Sequence, residues 1–348
     1  MEVFVAHERA EKDARVLSGV QPSGTLHLGN YFGAIRQHIE LQEQYPGQCF
    51  YFVADFHALT TLREAAALRQ NVWELTATYL ALGLDPEKAL MFRQSDVPEV
   101  TELTWLLSTV TGMGLLERAH SYKDKIASGI KPSVGLFTYP VLMAADILIY
   151  DSTLVPVGKD QVQHIEMAQD MATHFNETYG RAQKGKPLEM LLRRPEWKLS
   201  PAPYVPGLDG RKMSKSYENT IPIFSSDKKM KKTIGRIVTD STPLGEPLSI
   251  KKCNVYALLE LFCTPAELET VQGWYESGKR DGADFGYGHA KQYLTQKIQD
   301  HFAPARARLA ELRRTPSRVE AVLAQSAARA RAIARRTLDR CRRACGLA

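Results

Sequence analysis

Two short stretches carry residue types that can handle phosphate. The first is Gln21-Pro22-Ser23-Gly24-Thr25-Leu26-His27-Leu28-Gly29-Asn30. Its small residues let the backbone approach a ligand closely. A helix beginning at His27 points free N–H groups and a positive dipole end at the same ligand. Gly29 falls in the first turn, where a side chain would crowd a nucleotide, and His27 and Asn30 can donate to phosphate oxygens. The second stretch is Lys212-Met213-Ser214-Lys215-Ser216. Its two ammonium groups sit on flexible stems and can follow charge onto leaving pyrophosphate. Each stretch has an ordinary reading, a capped strand-to-helix turn and an exposed basic loop. Together, in this order, they imply a nucleoside triphosphate held from two sides.

A third cluster lies between them. Tyr139, Met143, Asp146 and Tyr150 are spaced four, three and four, so they share one helix face. A carboxylate among apolar neighbours needs a partner, either a base elsewhere in the fold or a ligand donor. Pro140 is expected in the first turn of that helix.

The elements that must position these groups follow from the hydrophobic pattern. Strands are expected at 15–20, 49–54, 89–93 and 154–157. Helices are expected from His27 to about Gln44, at 64–82 before Gly83, at 99–111 and at 159–179. This alternation predicts a parallel sheet with helices on both faces. Its ligand crevice lies beyond the carboxyl ends of the strands, where both Gln21–Asn30 and Asp55-Phe56-His57 fall. Residues 112–137 read as an insertion, 186–209 as a loop, and everything after Ser225 as helical. The expected fold is α/β: a Rossmann-like doubly wound parallel sheet over 1–225, with an inserted helical segment, and a helical domain over 226–348.

The 348 residues suit two domains, and 44% hydrophobic with 24% charged residues is ordinary for a soluble enzyme. No apolar run is long enough to span a membrane. The first fifteen residues lack the apolar core of a signal peptide, so a cytoplasmic location is expected. Five scattered cysteines do not suggest disulfides in that compartment. Cys341 and Cys345 lack a second ligand pair, so no metal site is expected. Charge is uneven: residues 304–348 hold twelve arginines and three acids, a net +9, which leaves −3 of the total +6 for the rest. A basic tail fits either a polyanionic partner or a solvated helix face.

His27-Leu28-Gly29-Asn30 resembles the "HIGH" signature, and Lys212–Ser216 matches the "KMSKS" signature, of class I aminoacyl-tRNA synthetases. The run from Thr138 to Tyr150 resembles the amino-acid-binding helix of the bacterial-type tryptophanyl-tRNA synthetases. Gly19 to Gly24, Asp55 to Thr60, Pro156 to Glu166 and Val238 to Ser241 are similar to that family too. The resemblance covers 15–240 and continues more weakly beyond.

It implies ATP-dependent activation of L-tryptophan and transfer to tRNA(Trp). Asp146, beside Met143, would accept the indole N–H, since indole offers one donor on an apolar body. Tyr139 and Gln161 would hold the amino acid's polar end, with His57 nearby. Gln21, Pro22, Ser23, Gly29 and Asn30 would line the nucleotide side. Gly158, Lys159 and Asp160 would meet the ribose, and Val205 would offer backbone to adenine. Lys212, Met213, Ser214, Lys215 and Ser216 would close on the phosphates, with Lys123 reaching them too. The catalytic residues would be Lys212, Lys215, His27 and Lys123. Mg²⁺ would come with ATP, held mainly by phosphates. The family works as a homodimer, with the insertion near the interface. An iron–sulfur cluster, carried by some relatives, is not expected, because Cys253 and Cys263 lack a close pair. Two alternatives stay open. A tyrosine-type ligase is opposed by Ala144, near which related tyrosine enzymes place Gln. A non-catalytic RNA-binding paralogue is opposed by the intact His27, Gly29, Lys212 and Lys215.

Overall fold

Strands β1 (Val16–Val20), β2 (Cys49–Val53), β3 (Ala89–Arg93), β4 (Leu154–Val157) and β5 (Glu196–Leu199) form one parallel sheet in the order 3-2-1-4-5. This computed structural model describes residues 14–119, 129, 131–158, 161–180, 189–199 and 203–347. The winding reverses between β1 and β4, which makes their carboxyl ends the place for a ligand. Strand β2, Cys-Phe-Tyr-Phe-Val, is buried at every position, as a central strand covered on both faces must be.

Strand β5 departs from expectation, because it falls within the stretch read as a loop. Its four residues, Glu-Trp-Lys-Leu, are all exposed. Its polar–apolar alternation spans only four residues at a sheet edge, directly after Arg193-Arg194-Pro195, too short to stand out from a loop.

The first helix opens with α1 (Leu28–Asn30), widens into a π-turn at Tyr31–Ile35 and continues as α2 (Arg36–Gln44). Next come α3 (Asp55–Ala58), α4 (Ala65–Leu82), α5 (Glu99–Ser108) and α6 (Met113–Glu117). Gly83 ends α4 at φ 117°, a conformation open to glycine.

Helix α7 (Val134–Leu148) starts earlier than Pro140 suggested. Ser133 caps it by accepting from the Leu136 N–H at 3.1 Å. Pro140 therefore sits inside the helix, and the segment read as an insertion contains the helix's first turn. Helix α8 (Val162–Tyr179) completes this half.

The remainder is α9 (Asp227–Gly235), α10 (Asn254–Leu259), α11 (Pro265–Ser277), α12 (Tyr287–Arg314) and α13 (Pro316–Ala344). A two-stranded hairpin, Lys279–Arg280 with Ala283–Asp284, interrupts the expected all-helical run.

The basic tail does not project away from the body. In α13, Ala327, Ala330, Ala334, Leu338 and Cys341 recur at three- and four-residue steps and pack into the same core as Leu90 and Phe92 of β3. The tail's arginines meet carboxylates of the body: Arg331 and Arg335 on Glu99, Arg342 on Glu102, Arg340 on Asp151, Arg313 on Glu74. Part of the tail's charge is thus set against the chain's own surface. Among the described residues no helix is long and apolar enough to cross a membrane.

Candidate active site

A cavity of about 490 Å³ opens at the switch point. Its floor comes from the ends of β1 and β4 and from Phe52 of β2; one wall is α7. Gly19 is required there by close approach, because a Cβ would lie 2.5 Å from the Phe52 ring. Tyr139, Met143 and Asp146 all face this space, joined by His57, Gln161, Gly158 and Gln21. The fourth member of the helical face, Tyr150, is instead buried in the core against Phe50 and Phe92.

Asp146 is 1% exposed. Its Oδ2 lies 2.9 Å from Nε2 of His57, and Gln94 Nε2 donates to both oxygens, at 2.9 and 2.8 Å. Burial pushes its carboxyl above the ordinary range, while the His57 and Gln94 hydrogen bonds pull the other way. Across the cavity the Tyr139 hydroxyl meets Nε2 of His164 at 3.0 Å. The space is thus a largely apolar cavity lined by one deeply buried carboxylate and by the polar side chains of Tyr139, His57, Gln161 and His164.

The two phosphate motifs come together above it. The chain after the second motif pairs with the first: Leu28 N–H donates to Ile221 O at 2.9 Å and Ile223 N–H to Leu26 O at 3.1 Å. Lys215 Nζ then reaches the Ser23 carbonyl at 2.7 Å and its hydroxyl at 3.2 Å. Met213 seats its sulfur 3.4 Å from the Gly29 N–H. A Cβ on Gly29 would lie 3.0 Å from the His27 ring and 3.4 Å from Met213 Cβ. The glycine therefore also makes room for the second motif.

Burial, and then the Lys215 charge, lower the His27 pKa to about 4, so its ring is neutral near pH 7. Burial lowers the Lys215 pKa as well. Asn30 Oδ1 accepts the His27 N–H at 3.1 Å, so this side chain caps the helix from inside. Asn219 shapes the lysine loop: it accepts from Ser214 N–H at 2.8 Å and donates to Asp209 at 2.7 Å. Ser214 in turn accepts from the Ser216 N–H at 3.3 Å.

Lys212 is exposed. Pro22 is buried in the turn before α1. The Val205 carbonyl already accepts from Met213 N–H at 2.9 Å. Lys123, Lys159 and Asp160 lie outside the described residues.

Residues 9–303 match the family described as tRNA synthetases class I (W and Y). The chain belongs to that family. It is 52% identical to the tryptophan–tRNA ligase of Rhodopirellula baltica over 96% of this chain and 99% of that one. It is 49% identical to the tryptophan–tRNA ligase of Fusobacterium nucleatum over 96% and 98%. A crystal structure of tryptophanyl-tRNA synthetase from Campylobacter jejuni, complexed with ADP and tryptophan, superposes with TM-score 0.88 at 46% identity, covering 96% of this chain and all of that one.

Within this synthetase fold, sequence reasoning missed two buried polar residues. Gln94 sits in an ordinary Arg-Gln-Ser-Asp run after β3, and only the fold brings it to Asp146. His164 follows Gln163 in a stretch similar to the family, but it gains a role only once Tyr139 is placed opposite.

Proposed function

We propose that the chain activates L-tryptophan with ATP and transfers it to tRNA(Trp). The observation that carries the choice of amino acid is the buried Asp146 carboxylate in a largely apolar cavity. An indole N–H satisfies such an acceptor, while phenylalanine would leave it unpaired. Tyr139 and Gln161, on the same cavity lining, hold the amino acid's polar end.

ATP lies between Gln21–Asn30 and the lysine loop. The tryptophan carboxylate attacks the α-phosphorus, and pyrophosphate leaves. Catalysis is positioning plus charge stabilisation, with no protein nucleophile. Lys215 supplies positive charge to the phosphates, and neutral His27 donates to them. Lys212 and Lys123 are the further cations assigned to the phosphates. Mg²⁺ comes with ATP and takes its ligands mainly from the phosphates.

The tRNA partner meets α9, where Lys228, Lys229, Lys231 and Lys232 are all exposed and Arg306 draws off the neighbouring Asp227. Residues 226–348 serve as the tRNA-binding part and 1–225 as the catalytic part. The exposed Trp105, Met113 and Val134 support a homodimer through the α5–α7 surface, and a cytoplasmic location fits the whole reading.

Pyrophosphate exchange into ATP tests the activity. Tryptophan-dependent exchange is expected. Exchange with tyrosine alone identifies a tyrosine-type ligase, and exchange with neither identifies a non-catalytic protein; both sink the proposal.

A further inference from the structure

A carboxylate offers about four acceptor positions. Gln94 and His57 face three of those on Asp146, two on Oδ2 and one on Oδ1. What remains is a single position on Oδ1.

The direction of the Gln94 amide is fixed by its other end. Its Oε1 accepts the Phe56 backbone N–H at 3.1 Å. A backbone N–H can only donate, so the oxygen must face Phe56 and the NH₂ must face Asp146. The ends of β2 and β3 are locked around this amide. Asp55 Oδ1 accepts from Phe56 N–H and Ser95 N–H, each at 3.0 Å, and the Ser95 hydroxyl donates to Oδ2. Gln94 is 1% exposed and does not line the cavity. It reaches a ligand only through Asp146.

We propose that Gln94 is a positioning residue for amino-acid selection, holding Asp146 with one open acceptor position that the indole N–H takes. The inference rests on the tryptophan reading above and extends it to a residue outside the pocket wall.

The test is Gln94→Glu, assayed by tryptophan-dependent pyrophosphate exchange from pH 6 to 8.5. The other ionisable groups around the Asp146 carboxylate are His57 and Asp55 on α3 and Tyr150 just beyond α7. They are common to both proteins, so the wild type is the reference at each pH. While protonated, the introduced carboxyl accepts from Phe56 N–H and donates to Asp146, as the amide does. Once ionised it sets two carboxylates against each other, which strongly raises the pKa of one of such a pair. At pH 6 the variant's tryptophan KM should lie within about 3-fold of wild type, and by pH 8.5 it should rise about 30-fold, with kcat changed less than about 3-fold. Activity at pH 6 also reports that the variant folds.

Gln94→Leu should raise KM at every pH. It should also shrink the preference for tryptophan over the benzothiophene analogue that lacks the N–H. A Gln94→Glu profile parallel to wild type, equal loss of kcat and kcat/KM at all pH values, or no recovery at pH 6 overturns the proposal. Absence of tryptophan-dependent exchange in the wild type would instead overturn the functional reading beneath it.

Discussion

Lys215 Nζ donates to the Ser23 carbonyl oxygen at 2.7 Å, across 192 positions of chain. This bond closes the second phosphate motif onto the first. It also holds the ammonium group, which burial makes easier to deprotonate, beside the turn proposed to receive the triphosphate. Lys215→Ala should lower kcat for pyrophosphate exchange by about 100- to 1,000-fold, the scale of losing one preorganised charge donor. The tryptophan KM should stay within a few-fold. A raised KM with kcat unchanged would mean that Lys215 serves ground-state binding.

Asp146→Asn keeps the shape of the side chain but must turn an NH₂ toward Gln94 Nε2 or His57, both within 2.9 Å of the present oxygens. The tryptophan KM should rise about 10- to 100-fold, the worth of one hydrogen bond to a charged partner. An unchanged KM would remove Asp146 from indole recognition.

Acid should loosen the fold before most carboxylates titrate. His27 and His38 are held at about 4, His27 by burial and then Lys215, His38 by burial. Both values lie below the ordinary 6.5, so the unfolded chain binds more protons between those limits. Stability is therefore lost as pH falls from about 6.5 toward 4. The thermal unfolding midpoint should drop from about pH 7 to about pH 5, and His38→Gln should flatten part of that slope. A midpoint that does not move over this range would contradict the burial assigned to both rings.

Glu99 anchors the last helix through Arg331 and Arg335, at 2.9 Å each. Burial alone would raise its pKa, but those guanidinium hydrogen bonds hold it below the ordinary range. Because the folded pKa is depressed, the stabilisation is present at neutral pH and is lost as pH falls through that depressed value. Glu99→Gln should cost about 1–2 kcal/mol, since both arginines remain partly in water. Chemical denaturation at neutral pH measures it, and no change would show the helix to be held by its apolar stripe alone.

Lys231→Glu combined with Lys232→Glu should weaken tRNA binding at low salt and lower the salt slope by about 1 to 2, as expected for lost phosphate contacts. Exchange in the absence of tRNA should be unaffected. Unaltered tRNA affinity would move the RNA surface away from α9.

The phosphate grip and the sheet that carries it can be read from the residues without coordinates. His27, Gly29 and Lys215 stand out by local motif, β2 and β3 declare themselves as unbroken apolar runs, and α4 by its length up to Gly83. The helical face of Tyr139, Met143 and Asp146 is legible from its spacing. Other features exist only in three dimensions. Gln94 owes its place to the Asp55 and Phe56 hydrogen bonds between two strand ends, which no local pattern encodes. Strand β5 is exposed and only four residues long, so its alternation is too brief to read as a strand. The charge of α13 leaves an outside polyanion and a solvated helix face equally open, and only the fold shows partners for its arginines in Glu99, Glu102 and Asp151, far back in the chain. Charge can be counted from sequence, but pairing depends on distance, and distance exists only after folding.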